Sequence, residues 1–244
     1  AAEEESTPGN ASTVSDETSL TSAVTNAADG TETTITLGAD ITLANTLTIP
    51  AEKNIVLDLD GKTLSVAHGK DVIDNSGNLT VKNGTIATED KGSSSQGMAV
   101  DNLAGATLTV EQDENQTTKL IGRSGIQNYG TVVVYNGTIE SYNRNAYWGS
   151  PDSTLTVYDG SFTSTSGSSG YGRAISTEGD VTIYGGFFYA GGKSGAGDNY
   201  MNAIGMFNGA KLVIQPAEGK TVTVTSETDY AISSMGNAKL FIYG

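Results

Sequence analysis

Apolar residues along most of this chain alternate with polar ones in runs of three to five, and one short phrase keeps returning. It reads Leu79-Thr80-Val81…Gly84-Thr85-Ile86, then Val132-Val133-Val134…Gly137-Thr138-Ile139. It reads again Leu155-Thr156-Val157…Gly160-Ser161-Phe162 and Val181-Thr182-Ile183…Gly186-Phe187-Phe188. Weaker copies start at Leu57, Leu108, Leu212 and Leu240, so successive copies begin 22 to 31 residues apart. A unit of this length cannot bury its own apolar side and must stack on its neighbours.

Period two begins at Thr33. Ile35 and Leu37, Ile41 and Leu43, Leu47 and Ile49, then Ile55, Leu57 and Leu59 each form a short run closed by Gly, Asn, Asp or Pro. These are short strands facing one core. A single repeat, Ile175 to Phe188, holds apolar patches at Ile175, at Val181 and Ile183, and at Phe188, separated by tight corners. Three faces and three corners in about 25 residues predict one coil of an all-β, single-stranded, right-handed parallel β-helix, each coil about 4.8 Å from the last. A propeller or sandwich is the rival. Asn83-Gly84 and Asn136-Gly137 have hairpin-turn composition, but they sit at a fixed offset in the repeat and join strands too short to pair as hairpins.

One stretch has a helical period. Leu20, Ala23, Val24 and Ala27 make an apolar stripe, Ser15 or Asp16 caps it, and Gly30 is a stop. The predicted helix, 15–28, would shield the raw edge of the first coil. Residues 1–13 read as a disordered polar leader and 14–244 as one β-helix domain. The last copy breaks off at Leu240-Phe241-Ile242-Tyr243-Gly244, so the C-terminal end is expected to be truncated.

Composition narrows the function. The chain has 28 acidic and 13 basic side chains, a net charge of −15, which argues against nucleic acid and anionic membranes. It favours a monomeric habit. No apolar run approaches a membrane span. Cysteine is absent, which removes disulfides, thiol nucleophiles and cysteine metal sites. The polar opening, like a stretch that follows a removed signal, points to a secreted or cell-surface location.

The capping helix, Thr34-Ile35-Thr36-Leu37…Asp40-Ile41-Thr42-Leu43 and Leu57-Asp58-Leu59-Asp60-Gly61-Lys62-Thr63-Leu64 together resemble the opening of pectate-lyase-like right-handed β-helix proteins. The closest likeness is to the bacterial surface and adhesin-type β-helix domains, over residues 15–244. The resemblance implies a fold that hosts lyases, hydrolases and adhesins. Its enzymes bind calcium with clustered acids and use an Arg or Lys base, or hydrolyse glycosides with paired carboxylates. The galacturonan-hydrolase signatures Asn-Thr-Asp, Asp-Asp, Gly-His-Gly and Arg-Ile-Lys are absent, and His68, the one histidine, reads as a loop residue. Carboxylates paired across coils stay open. No catalytic or metal-ligating residue is assigned and no cofactor is expected. Asp58-x-Asp60-Gly61 has a calcium-loop flavour but lacks the rest of such a loop, and calcium between acidic corners stays open.

Candidate binding residues come from phase. Tyr135, Tyr158 and Tyr184 occupy one outward phase in three successive copies and predict a tyrosine ladder, structural or sugar-binding. Arg123 precedes Ile126 by three residues and Arg173 precedes Ile175 by two, with Arg144 at a similar phase before Tyr147, so all three could lie near one corner. Longer connections at 87–97, 140–150, 163–173 and 189–202 leave from one side and carry Tyr142, Tyr147, Trp148, Tyr171, Tyr189 and Tyr200. The expected function is a non-catalytic extracellular module for adhesion or carbohydrate recognition. Sugar would stack on Trp148 or the tyrosines and be hydrogen-bonded by Arg144 and Arg173. A polysaccharide lyase or hydrolase, and a structural spacer or assembly element, are the alternatives.

Overall fold

The computed structural model describes residues 11–67, 69–88, 97–165, 172–191 and 202–244. Its strands form three parallel sheets of ten, eight and eight strands. The chain visits them in rotation. Tyr147–Gly149 lies in sheet C, Thr154–Val157 in sheet A, Ser161–Ser164 in sheet B, and Ile175–Thr177 returns to sheet C beside Tyr147–Gly149. Every strand pair among the described residues is parallel and joins one coil to the next, for example Leu79 with Leu108 and Leu108 with Val132. This is the right-handed parallel β-helix that the repeat predicts.

Register follows from burial. In sheet A, Leu155 and Val157 point inward above Val132 and Val134 and below Val181 and Ile183. Shifting any strand by one residue would expose this column and bury its polar partners. Sheet B carries Ile86, Leu120, Ile139, Phe162 and Phe188 inward, and the last two rings stack with centroids 5.3 Å apart. The Asn-Gly pairs are coil corners: Asn83 has φ 60° and Gly137 has φ 141°. The Asp58 corner is also structural. Asp58 accepts from the Asp60 amide and from Asn83, and Lys82 lies 3.6 Å from it and 3.0 Å from Asp113.

Polar residues enter the core in sheet C as a ladder. Asn75 donates to Asn102 and Asn102 to Asn128, each at 2.8 Å, and Asn128 donates to the Tyr147 hydroxyl at 2.8 Å. The same amides also reach the carbonyls of Thr107, Thr131 and Thr154 at the turn into sheet A. The next position in the column is Gly149, where a Cβ would lie 2.8 Å from the Tyr147 hydroxyl. The phenol thus takes the place of the missing side chain. Burial pushes its pKa up to about 12, so it stays a neutral hydrogen-bonding group.

The helix spans Glu17–Asn26, shorter at both ends than 15–28. Asp16 caps it, accepting from the Ser19 amide at 2.8 Å, while the Ser19 side chain returns to the Asp16 amide in a capping box. Leu20 and Val24 face the first coil and are buried. Glu17 accepts from the amides of Ala44 and Asn45, and buried Lys53 binds the Ala27 carbonyl and Asp29, which fastens the helix to the coil. Ala11–Val14 pairs with Glu32–Leu37, so residues 11–13, expected in the leader, belong to a strand. The rest of the expected leader and His68 lie outside the described residues. In the last strand, Leu240 and Ile242 take inward register positions and are exposed.

The ladder and the outer rings differ in energetic weight. Asn102→Ala removes one partner each from the buried amides of Asn75 and Asn128, which keep their bonds to Thr107 and Gly130, and one from the Thr131 carbonyl, and is expected to cost about 2–3 kcal/mol. Tyr158→Ala removes only exposed ring contacts and is expected to cost about 1 kcal/mol. Urea unfolding of the two variants against the parent checks this order.

Candidate functional site

Side chains that alternate with the core residues of sheet C line up along its outer surface. Register places Asp74, Asp101, Gln127, Trp148, Ser176 and Gly205 in one column, a coil apart each. The column is acidic at one end, aromatic in the middle and basic beside its far end.

At the acidic end, Asp71, Asp74 and Asp101 bring one carboxylate oxygen each within 4.8 Å of the others. Asp71 is buried and accepts from the amides of Gly97 and Met98 at 2.7 and 2.8 Å. Asp101 is pushed up to about 6, first by burial and then by the charges of Asp74 and Asp71. Its Oδ1 is buried without a hydrogen-bond partner among the described residues. Asp74 is also raised, by burial and then by Asp71. An all-oxygen set of this kind suits a hard divalent cation such as calcium, with further oxygen ligands from water.

In the middle, Gln127 donates to the Tyr129 hydroxyl at 2.9 Å, and the Tyr129 ring meets Trp148 edge-on at 5.4 Å. The basic end is a cleft of about 280 Å³ lined by Arg144, Asn145, Trp148, Arg173, Ser176, Glu178 and Phe207. Arg173 is buried and held on several sides. Its Nε donates to Asn202 at 2.9 Å, its guanidinium lies 5.0 Å from the Phe207 ring centre, and its amide donates to Asn145. Its stem lies across Gly205, where a Cβ would sit 2.5 Å from Nε. Asn208 in turn bonds to Glu178 at 2.8 Å. The cleft therefore joins two aromatic rings, two guanidiniums and one carboxylate.

Of the sequence-predicted residues, Trp148, Arg144 and Arg173 come together in this cleft. The three arginines do follow one another at the entry to sheet C: the Arg144 amide bonds to the Arg123 carbonyl, and the Ala146 amide to that of Arg173. Arg123 and Arg173 are buried there, and Arg144 is exposed. Tyr147 is corrected. It is fully buried at an inward position, because its ring fills the core above Ile126, and it offers no surface to a ligand. Tyr142 is half-buried and does not line the cleft; burial raises its pKa. Tyr171 and Tyr200 lie outside the described residues.

Tyr135, Tyr158 and Tyr184 form the expected ladder, with centroids 5.0 and 5.2 Å apart and planes within 4° and 13°. Each directly follows a strand of sheet A, Thr131–Val134, Thr154–Val157 and Asp180–Ile183, on a different side from the cleft. Tyr158 has a ring on both faces, and Tyr135 and Tyr184 have one on a single face each.

The acidic cluster, Tyr129, Asn202, Gly205 and Phe207 escape a reading keyed to the Leu-Thr-Val phrase. A signal for the cluster exists in Ile73-Asp74-Asn75, Val100-Asp101-Asn102 and Ile126-Gln127-Asn128, a second repeating triplet. No protein-family model, no curated protein and no solved structure matches the chain.

Asp101 holds its proton more tightly folded than unfolded. Stability associated with it is therefore greatest in acid and falls as pH rises from about 4 to 6. Asp101→Asn is expected to raise Tm by about 2–4 °C at pH 7.5, corresponding to about 1 kcal/mol after solvent screening, and by nothing below about pH 4. Thermal melts of both proteins across this range check the sign.

Proposed function

We propose that this chain is a non-catalytic extracellular module that recognises carbohydrate, in the manner of the bacterial adhesin-type β-helix domains of the pectate-lyase-like superfamily. The observation that carries the reading is the convergence of Trp148, Phe207, Arg144 and Arg173 on one cleft. Sugar sites combine an aromatic surface for the C–H face of the ring with a few fixed polar groups for its oxygens. Trp148 is the platform in this reading. Arg144, exposed at the rim, reaches ligand oxygens, and Arg173 acts from a position set by Asn202, Phe207 and Gly205. A guanidinium held this way loses little further freedom on binding.

A second reading rests on Asp71, Asp74 and Asp101. A carboxyl that titrates near pH 6 beside two other carboxylates is suited to acid–base work on a glycosidic bond, or to calcium-assisted lyase chemistry. New reducing or unsaturated ends from pectin, alginate or neutral glycans, lost in Asp101→Asn, would favour it over pure recognition.

The recognition reading predicts glycan-array binders for the parent chain. Trp148→Ala is expected to weaken them at least tenfold in titration calorimetry, with the fold intact by circular dichroism. Gly205→Ala, which displaces Arg173, is expected to weaken them as well. An array without binders, or unchanged binding by Trp148→Ala, would contradict the reading.

A further inference from the structure

A second aromatic pair stands on the outer face of sheet B, away from the cleft. Phe187 and Tyr189 both point outward from Gly186–Ala190, with planes within 14° and centroids 6.0 Å apart. Phe187 is 41% exposed, high for a ring of this size in a core-forming strand. Tyr189 is fixed: its hydroxyl bonds to Glu227 and its ring lies against Gly191, where a Cβ would be 2.5 Å away.

The neighbours in register decide what these rings can do. One coil back, Phe187 and Tyr189 face Ser161 and Thr163; one coil on, they face Thr223 and Thr225. These side chains are too short to cover a ring. The contrast with Tyr135, Tyr158 and Tyr184 is direct, since each of those rings has another ring in register and stacks on it. The outer pair on sheet B has no ring partner along the axis among the described residues. It stands between two shallow strips of hydroxyl groups, and its four flanking side chains are uncharged in a chain whose net charge is −15.

We propose that Phe187 and Tyr189 form a second carbohydrate-binding platform, for uncharged pyranose chains. A sugar ring placed against Phe187 sets its C–H face on the aromatic ring, and its hydroxyls meet Ser161 and Thr163 or Thr223 and Thr225. Among the described residues the nearest ammonium, that of Lys220 beside Gly185, is paired with Asp159 at 2.6 Å, and Glu227 accepts from Tyr189, so no free cation favours acidic sugars here, unlike the arginine-lined cleft on sheet C. Two platforms on different sheets allow one module to hold one glycan surface at two points.

Titration calorimetry of the whole chain with cellohexaose, xylohexaose, mannohexaose and chitohexaose tests this. At least one is expected to bind. Phe187→Ala is expected to weaken it at least tenfold, and Tyr189→Phe to keep the ring and stay within about threefold of the parent. Circular dichroism on Phe187→Ala confirms that the exposed substitution leaves the fold in place. No binding of any of the four at millimolar concentration overturns the proposal, as does unchanged binding by Phe187→Ala. Loss in Trp148→Ala with retention in Phe187→Ala assigns neutral sugars to the sheet C cleft and overturns the platform alone. Retained binding by Phe187→Ala at the cleft leaves the recognition reading standing by itself.

Discussion

Parallel, in-register stacking of successive coils is the constraint on which the molecule depends. Each strand satisfies its backbone hydrogen bonds only through the coils before and after it, and each apolar column is dry only because the next coil covers it. The Asn75–Asn102–Asn128–Tyr147 ladder sharpens this constraint. A one-residue slip turns an apolar column outward, and in sheet C it would also strip each buried amide of its partner. The ladder therefore marks the sheet in which coil-to-coil alignment is most tightly specified. The outer face of that same sheet carries the acidic cluster and the arginine-lined cleft.

Stacking also explains how side chains distant in sequence form surface sites. A position that recurs in phase becomes a column about 4.8 Å per step. When like groups fill the column the outcome depends on their chemistry. Three tyrosines stack face to face along the edge of sheet A. Two aspartates, Asp74 and Asp101, repel across the strand pair and hold on to protons. Unlike neighbours leave chemistry exposed: Trp148 lies between Gln127 and Ser176, and Phe187 between Ser161 and Thr223.

The fold was legible because period two and a coil-length repeat are both written in single residues such as Leu155, Val157 and Phe162. The helix was legible for the same reason, though its ends needed the Asp16–Ser19 box to be seen. The tyrosine column could be read from phase alone. The cleft was half legible. Trp148 and Arg173 stood out as rare residue types, but Asn202, Gly205 and Phe207 matter only through contact with Arg173, which no periodicity reports. Tyr147 misled because it lies in a long connection beside Trp148. Strand alternation sends it inward and its neighbour outward, and a one-residue difference in where that strand begins reverses both.

Because the chain contains no cysteine, introduced pairs report coil alignment without interference. Val133 and Thr156 are partners on adjacent coils, while Val133 and Thr182 are two coils apart. Stacked coils place the first pair about 5 Å apart and the second about 10 Å apart, and a disulfide spans roughly 4.4–6.8 Å between Cα atoms. Under mild oxidation Val133→Cys/Thr156→Cys should close an intramolecular disulfide and Val133→Cys/Thr182→Cys should not. Closure of the second pair, or failure of the first in a folded monomer, would contradict the stacked, parallel, in-register helix.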